Sequence, residues 1–108
     1  MYFVERGKMH KKELVPGTTA SLAWGKNIML SVVEIGPGSV VPMHSHPHEQ
    51  AGFVVEGEFD FIIGNERRRV KTGDMYIIPG GVQHSAIGLE KKAVALDIFS
   101  PPREDYQK

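Results

Sequence analysis

Short apolar runs alternate with turn residues along the whole chain. The 108 residues include twelve glycines and seven prolines, and these fall mostly between the runs. Alternation with period two inside the runs, as in Phe59, Phe61 and Ile63 around Asp60, is typical of strands with one buried face. No window carries a helical period over ten residues. The predicted strands are 19–24, 28–35, 51–56, 59–63, 67–71, 75–78, 84–87 and 92–99.

This many short strands in a small chain predicts an all-β barrel or sandwich, because closure removes exposed sheet edges. Gly57-Glu58 and Gly64-Asn65-Glu66 are expected to be hairpin connections. The polar stretch 8–13 is expected to be a short helix or a loop. The apolar run Tyr2-Phe3-Val4 is expected to be a strand that adds to a second subunit, so we expect a homodimer that becomes a monomer when residues 1–6 are deleted.

The last predicted strand places an acid on an apolar surface. Asp97 and Phe99 share one face with two alanines, Ala93 and Ala95, whose small side chains suit a cavity wall. A carboxyl group there is costly to bury unless it is paired or functional, and a structural pair with a nearby Arg or Lys is the alternative. Pro101-Pro102 then turns the chain and can hold Arg103, well shaped for a carboxylate, over the cavity; an exposed tail position is equally open.

Composition narrows the class of protein. The length predicts one domain, 1–108. Thirteen basic and thirteen acidic residues cancel, which does not favour a nucleic-acid partner. There are no cysteines for disulfides or thiolate metal sites. The N-terminal residues lack the apolar run of a signal peptide, and no stretch has the length of a membrane span. We therefore expect a cytoplasmic protein without a membrane partner.

His44-Ser45-His46, followed by Gln50 and by the distant His84, has the composition of a divalent-metal site. On a strand, His44 and His46 would project to the same face. Gln50 can return to that face after the bend at Pro47, and His84 must come from another strand, after a tight turn at 79–83. Glu49 and His48 are rival ligands, although Pro47 interrupts the strand before His48, whose side chain is expected to be solvated. Histidines in polar loops without a metal are the alternative.

Two motifs resemble those of the cupin family of small β-barrels. The first, within 38–57, has Gly38, His44, His46, Gln50 and Gly57 at the family spacing; the second, within 73–88, has Gly73, Pro79, Gly81 and His84, after a fifteen-residue spacer. The resemblance implies a single-domain cupin β-barrel, a double-stranded β-helix or jelly roll. Gln50 stands where most cupins have Glu, and Gly88 where Asn is frequent. A site of neutral ligands leaves the metal charge uncompensated, so it should attract an anionic substrate oxygen.

The sequence 44–50, with Asp97, Phe99 and Arg103, is similar to KdgF-type pectin-degradation cupins. This resemblance implies a metal-dependent enzyme that opens unsaturated monouronates, released from pectin or alginate, to linear keto acids. The implied metal ligands are His44, His46, Gln50 and His84, for one zinc, nickel, manganese, iron or cobalt ion. The implied reaction group is Asp97, Phe99 and Arg103, acting on a small sugar acid. An iron-dependent dioxygenase and a non-catalytic sugar-acid or metal-binding cupin are the alternatives.

Overall fold

The chain forms two antiparallel sheets, as the apolar periodicity predicts. The computed structural model describes residues 2–108 and contains ten strands and two single turns of 3-10 helix, at Arg6–Lys8 and Glu104–Gln107. The strands are β1 (His10–Val15), β2 (Thr18–Trp24), β3 (Met29–Ile35), β4 (Val40–His44), β5 (Glu49–Glu56), β6 (Glu58–Ile63), β7 (Glu66–Lys71), β8 (Met75–Ile78), β9 (His84–Gly88) and β10 (Ala93–Ser100).

The strand order explains how distant parts of the chain meet. One sheet has six strands in the order β1-β2-β3-β10-β5-β8, and the other has four in the order β4-β9-β6-β7. The C-terminal strand β10 therefore lies between β3 and β5, in the middle of the larger sheet. The inner faces of both sheets supply one hydrophobic core, whose largest fully buried side chains include Phe59, Leu22 and Met29. This is the all-β, two-sheet architecture that the sequence predicts.

The expectation of a helix or loop at 8–13 is wrong beyond its first residues. From His10 the segment is strand β1, which pairs with β2 through contacts such as His10↔Leu22 and Glu13↔Thr19. Its exposed and half-buried positions alternate, but the residues are polar, so hydropathy alone hides the strand period. Two lysines, Lys11 and Lys12, fit an edge strand, because charged side chains discourage further strand pairing.

The expectation of a hairpin at Gly57-Glu58 is also wrong. Strands β5 and β6 belong to different sheets, so the chain turns at Gly57 and passes from one sheet to the other. Gly57 has a φ of 79°, and a Cβ there would lie 2.9 Å from the carbonyl oxygen of Lys92, so both backbone conformation and space favour glycine. The Gly64-Asn65 connection, in contrast, is a hairpin, since Ile63 pairs with Glu66.

The N-terminal segment and one sheet edge expose apolar side chains. Tyr2 and Phe3 are 97% and 95% exposed, and residues 2–5 form no strand within the chain, so the expected N-terminal strand is absent from a single subunit. On the outer face of β8, Met75 and Ile77 are 75% and 69% exposed. Within residues 2–108, no helix has the length and apolar character needed to cross a membrane.

Candidate metal centre and active site

Three histidines converge at one end of the cavity between the sheets. His44 ends β4 and His84 begins β9; the two residues pair directly across the strands, with ring centroids 4.3 Å apart. His46 does not continue the strand as expected. It lies in the loop after β4, where the N–H of Gly81 donates to its carbonyl oxygen (2.8 Å). One ring nitrogen from each histidine falls within 4.8 Å of the others, which suits a shared cation.

Backbone carbonyl groups fix the orientation of all three rings. The Nδ1 atoms of His44, His46 and His84 donate hydrogen bonds of 2.8, 3.0 and 2.9 Å to the carbonyl oxygens of Pro42, His48 and Val82. In the neutral imidazole, a proton on Nδ1 leaves Nε2 with a lone pair. Each ring is thus held in the tautomer that a metal ligand needs, by the kind of outer hydrogen bond that is usual around metal sites.

The side chain of Gln50 lies beside the triad, whereas that of Glu49 points to solvent. Gln50 is buried on the inner face of β5, with its Oε1 3.1 Å from Nε2 of His46, whereas Glu49 is exposed. Because Nδ1 of His46 carries the proton, its Nε2 and the Gln50 oxygen are two acceptors facing each other. A cation between them would satisfy both, so these residues fit a divalent metal.

His48 is buried, which corrects the expectation that its side chain is solvated. Its Nε2 lies 3.3 Å from a carboxylate oxygen of Glu104 in the C-terminal turn, and its Nδ1 has no hydrogen-bond partner within the described chain. Its ring centroid is 5.6 Å from that of His46. His48 therefore packs behind the triad and connects the histidine loop to the C-terminal segment.

The electrostatic environment keeps the buried imidazoles neutral. Burial is the main reason that the pKa of His84 falls to about 4, with smaller contributions from His44, His46 and Arg103. Burial and the nearby Arg103 guanidinium also lower the pKa of His46. Unprotonated nitrogens are the form that binds metal. Because the folded protein already keeps these imidazoles neutral, a metal ion would not have to displace protons from them.

Asp97 lies on the inner face of the six-stranded sheet and has a tyrosine partner. The hydroxyl of Tyr76 donates a 2.6 Å hydrogen bond to its Oδ1. Burial raises the pKa of the Asp97 carboxyl to about 6, opposed by hydrogen bonds from Tyr76 and Gln50 and by the charge of Arg103. The carboxyl is thus held by a neutral donor rather than by the Arg or Lys ion pair that was the structural alternative.

Arg103 is buried rather than exposed in the tail. Its Nε and Nη2 donate to the two carboxylate oxygens of Asp105 at 3.3 and 2.8 Å, an arrangement that leaves Nη1 out of the pair. The guanidinium carbon lies 3.8 Å from the ring centroid of Tyr106 and 5.2 Å from that of Phe99. Two aromatic rings and a carboxylate therefore hold this cation in place.

One cavity of about 60 Å³ joins these groups. Six of the seven residues proposed from sequence line it, and the seventh, His46, packs against Phe99 with ring centroids 5.5 Å apart. Sequence reasoning missed Tyr76 and Tyr106. The alternation of β8 gave one weak signal for Tyr76, since it shares a face with the buried Ile78, but nothing in the sequence identified Asp97 as its partner. The lining residues proposed from sequence are His44, Gln50, His84, Asp97, Phe99 and Arg103.

Known proteins share this fold and sequence pattern. The model of the cupin domain family matches residues 31–99. The pectin degradation protein KdgF of Dickeya dadantii is 34% identical over 86 residues, which cover 79% of this chain and 78% of that protein. The structure of KdgF from Halomonas sp. superposes with a TM-score of 0.87 at 31% identity, covering 97% of each chain. An RmlC-like cupin from Shewanella frigidimarina gives 0.88 at 25% identity, covering 98% of this chain and 96% of that one.

A jelly roll of two sheets with a histidine triad at one end of its cavity defines a cupin with a candidate metal centre. The chain belongs to the cupin domain family, and KdgF proteins are among its relatives.

Proposed function

We propose that this chain is a metal-dependent enzyme that opens unsaturated monouronates to linear keto acids. The observation that carries the proposal is the meeting of the histidine triad, Asp97 and Arg103 in one cavity. The similarity to proteins named for pectin degradation supports the substrate class. Fold alone would not, because cupins host many chemistries.

The proposed ligands are His44, His46, His84 and Gln50, which together offer three imidazole nitrogens and an amide oxygen to one divalent ion. Such a donor set accepts zinc, nickel, manganese, iron or cobalt. When bound, the ion would polarise oxygens of the substrate as a Lewis acid. The chain itself adds no negative ligand, which favours an anionic substrate oxygen at the site.

The reaction is an isomerisation that needs proton movement and no co-reactant. The anomeric hydroxyl loses its proton, the ring C–O bond to the anomeric carbon breaks to give an aldehyde and an enolate, and the enolate gains a proton on carbon as it becomes a ketone. In our proposal Asp97 moves this proton, since a positioned carboxyl group can act as both base and acid. Its pKa of about 6 is closer to neutrality than that of an exposed aspartate, which suits this work.

Arg103 and Phe99 are proposed to place the sugar acid. The bonds of Arg103 to Asp105 use Nε and Nη2, so Nη1 is the part of the guanidinium offered to a substrate carboxylate. Phe99 would pack against the sugar ring. Holding the carboxylate and the ring together fixes the reacting carbon relative to Asp97, and such positioning contributes strongly to catalysis.

The first test follows the conjugated double bond of unsaturated galacturonate monomer by ultraviolet absorbance. Metal-loaded protein should accelerate its loss over the spontaneous rate, chelation should abolish the acceleration, and metal added back should restore it. Protein with bound metal that gives only the spontaneous rate would refute the uronate activity. Oxygen uptake by the iron-loaded form would then favour the dioxygenase, and ligand-induced stabilisation without turnover would favour a binding protein.

We further propose that the protein acts as a cytoplasmic homodimer. The outer face of the edge strand β8 and its neighbour β5 exposes four apolar side chains, Phe53, Val55, Met75 and Ile77, and Tyr2 and Phe3 are exposed as well. A second copy could cover both surfaces. Light scattering should give a dimer that becomes a monomer on deletion of residues 1–6 or in Met75→Glu; a monomeric parent protein would refute this proposal.

A further inference from the structure

Four residues in register across the six-stranded sheet form a row on the cavity wall. Tyr76 in β8 pairs with Gly52 in β5, Gly52 pairs with Asp97 in β10, and Asp97 pairs with Ser31 in β3. Residues paired across neighbouring strands project to the same face of a sheet. The row therefore combines two hydroxyls and one carboxyl group with the open space left by Gly52, which has no side chain.

The gap at Gly52 is what allows Tyr76 to reach Asp97. A Cβ at Gly52 would lie 2.1 Å from a carbon of the Tyr76 ring and 2.5 Å from Oδ1 of Asp97, distances that no side chain could accept. The tyrosine ring lies over the glycine, and its hydroxyl donates to Oδ1 at 2.6 Å. The row is thus built around this hydrogen bond, since any larger residue at position 52 would prevent it.

We propose that Tyr76 is a positioning residue for the reaction: by holding Oδ1, its hydroxyl fixes the rotation of the Asp97 carboxyl group and so determines which oxygen faces the substrate. This inference rests on the proposed uronate activity. The Arg103 guanidinium is occupied by Asp105 through Nε and Nη2, and within residues 2–108 the side-chain hydrogen bond that Asp97 accepts at 2.6 Å comes from Tyr76. Hydrogen bonds from O–H to a carboxylate are short and strong, and this one is buried.

The ring of Tyr76 is held independently of its hydroxyl. It meets the ring of Phe61 edge-to-face, with centroids 4.7 Å apart and an interplanar angle of 86°. Tyr76→Phe should therefore preserve the packing and remove only the hydrogen bond to Asp97. This makes the substitution a test of positioning rather than of folding.

The experiment compares metal-loaded wild type, Tyr76→Phe and the control Thr19→Val, which removes a hydroxyl from an exposed residue of β2. We expect kcat for unsaturated galacturonate to fall about 10- to 100-fold in Tyr76→Phe, the scale expected for a misplaced catalytic group. KM and metal content should stay near the wild-type values, and the melting temperature, although lowered by the lost hydrogen bond, should stay above the assay temperature. A wild-type kcat would overturn the inference, and so would a kcat loss fully explained by lost metal or unfolding.

Crystal structures of the wild type and Tyr76→Phe separate this inference from the uronate proposal. If neither protein turns over the uronate, the proposed function fails. The two structures still show whether Tyr76 fixes the orientation of the Asp97 carboxyl group. A new rotamer or lost order of the Asp97 carboxyl group in Tyr76→Phe supports positioning. An unchanged, equally ordered carboxyl group overturns it.

A second inference comes from Ser31, at the other end of the row. Ser31 is fully buried and lines the cavity, and its Oγ has no hydrogen-bond partner among the described residues. Buried hydroxyls are normally hydrogen-bonded. An unpaired buried hydroxyl on a cavity wall therefore indicates that a ligand in the cavity supplies its hydrogen-bond partner. We infer that Ser31 binds a hydroxyl group of a polyhydroxylated acid, which again rests on the proposed substrate class.

Calorimetry with metal-loaded protein tests Ser31 without turnover. We expect Ser31→Ala to weaken binding of galacturonate, a saturated sugar acid, about 5- to 30-fold, while binding of succinate, which has no hydroxyl, is unchanged. The melting temperature should not fall, because no bond within the chain is lost; Ser21→Ala, on the outer face of β2, is the control. Equal galacturonate affinity, or a lower melting temperature in Ser31→Ala, would overturn the inference. Wild-type protein that binds no galacturonate would count against the substrate class and this contact together.

Discussion

The two walls of the cavity differ in chemistry and in how they are built. The four-stranded sheet contributes His44 and His84 from facing strand ends, each fixed by a carbonyl two residues earlier in the chain. The six-stranded sheet contributes Asp97 and Tyr76, which are 21 residues apart and meet over a glycine. Ring orientation at the proposed metal end is thus set by nearby carbonyl groups, although strand pairing brings His44 and His84 together, whereas carboxyl orientation at the proposed proton-transfer end depends on long-range register. Each end should therefore be removable without loss of the other.

The largest effect is expected from breaking the metal end. His46→Ala removes one of three converging nitrogens, so both bound metal and activity should fall to background while the fold persists. Elemental analysis, circular dichroism and the absorbance assay measure the three properties. His10→Ala, at a histidine of the edge strand β1 that is not part of the triad, is the matched control. Full metal occupancy in His46→Ala would show that this ring is not a ligand.

A substitution in the six-stranded wall should lower activity without lowering metal content. Asp97→Asn keeps the shape but removes the ability to move a proton, and we expect turnover to fall about 10²- to 10⁴-fold. Metal content should match that of the wild type, because Asp97 is not one of the proposed ligands. Asp60→Asn, an aspartate on the outer face of β6, is the control. Wild-type turnover in Asp97→Asn would remove this residue from the mechanism.

The dependence of the six-stranded wall on register can be tested at its glycine. Gly52→Ala places a methyl group where the Tyr76 ring and Asp97 now lie, and overpacking of this kind costs about 1–3 kcal/mol of unfolding free energy. Gly25→Ala introduces the same methyl group where no atom lies within 4 Å. Urea denaturation of both variants measures the difference. Equal stabilities would mean that the sheet adjusts freely around position 52.

The smallest effect is expected at the tail. Asp105→Asn weakens the pair that holds Arg103, so the guanidinium loses orientation but keeps its packing between Tyr106 and Phe99. Because Asp105 is largely exposed, we expect only about a two- to fivefold rise in KM, with kcat unchanged. Initial rates over a range of substrate concentrations measure both. A large fall in kcat would place Arg103 nearer the chemistry than we propose.

The two walls were also unequally predictable from the sequence. Ligand spacing along short segments is a local property, so strand period and turn signals indicated His44 and His84 as candidate ligands, and the resemblance to the cupin motifs placed them in one expected site. The alternation of β10 likewise predicted the inward face of Asp97 and Phe99. Local patterns failed where packing decides the outcome. His46 leaves the strand, and His48 is buried by the returning tail.

Other failures share the same physical cause. Strand β1 has too many lysines for its period to be visible in hydropathy, and Gly57 looks like a hairpin residue although it turns the chain between sheets. The partner of Asp97 could not be predicted, because the Tyr76 contact needs the β5–β8 and β5–β10 registers together. Pairing information of this kind is not contained in any one segment.

The amide of Gln50 has one further consequence. Its oxygen lies 3.1 Å from Nε2 of His46, and the same side chain helps to lower the pKa of the Asp97 carboxyl. A glutamate, usual at this position in the family, would turn an acceptor toward Asp97 and set two carboxylates against each other. The Gln50 amide therefore interacts with groups at both ends of the cavity, His46 at one and Asp97 at the other. A substitution at position 50 should therefore disturb both proposed ends of the cavity at once, unlike the changes confined to one wall.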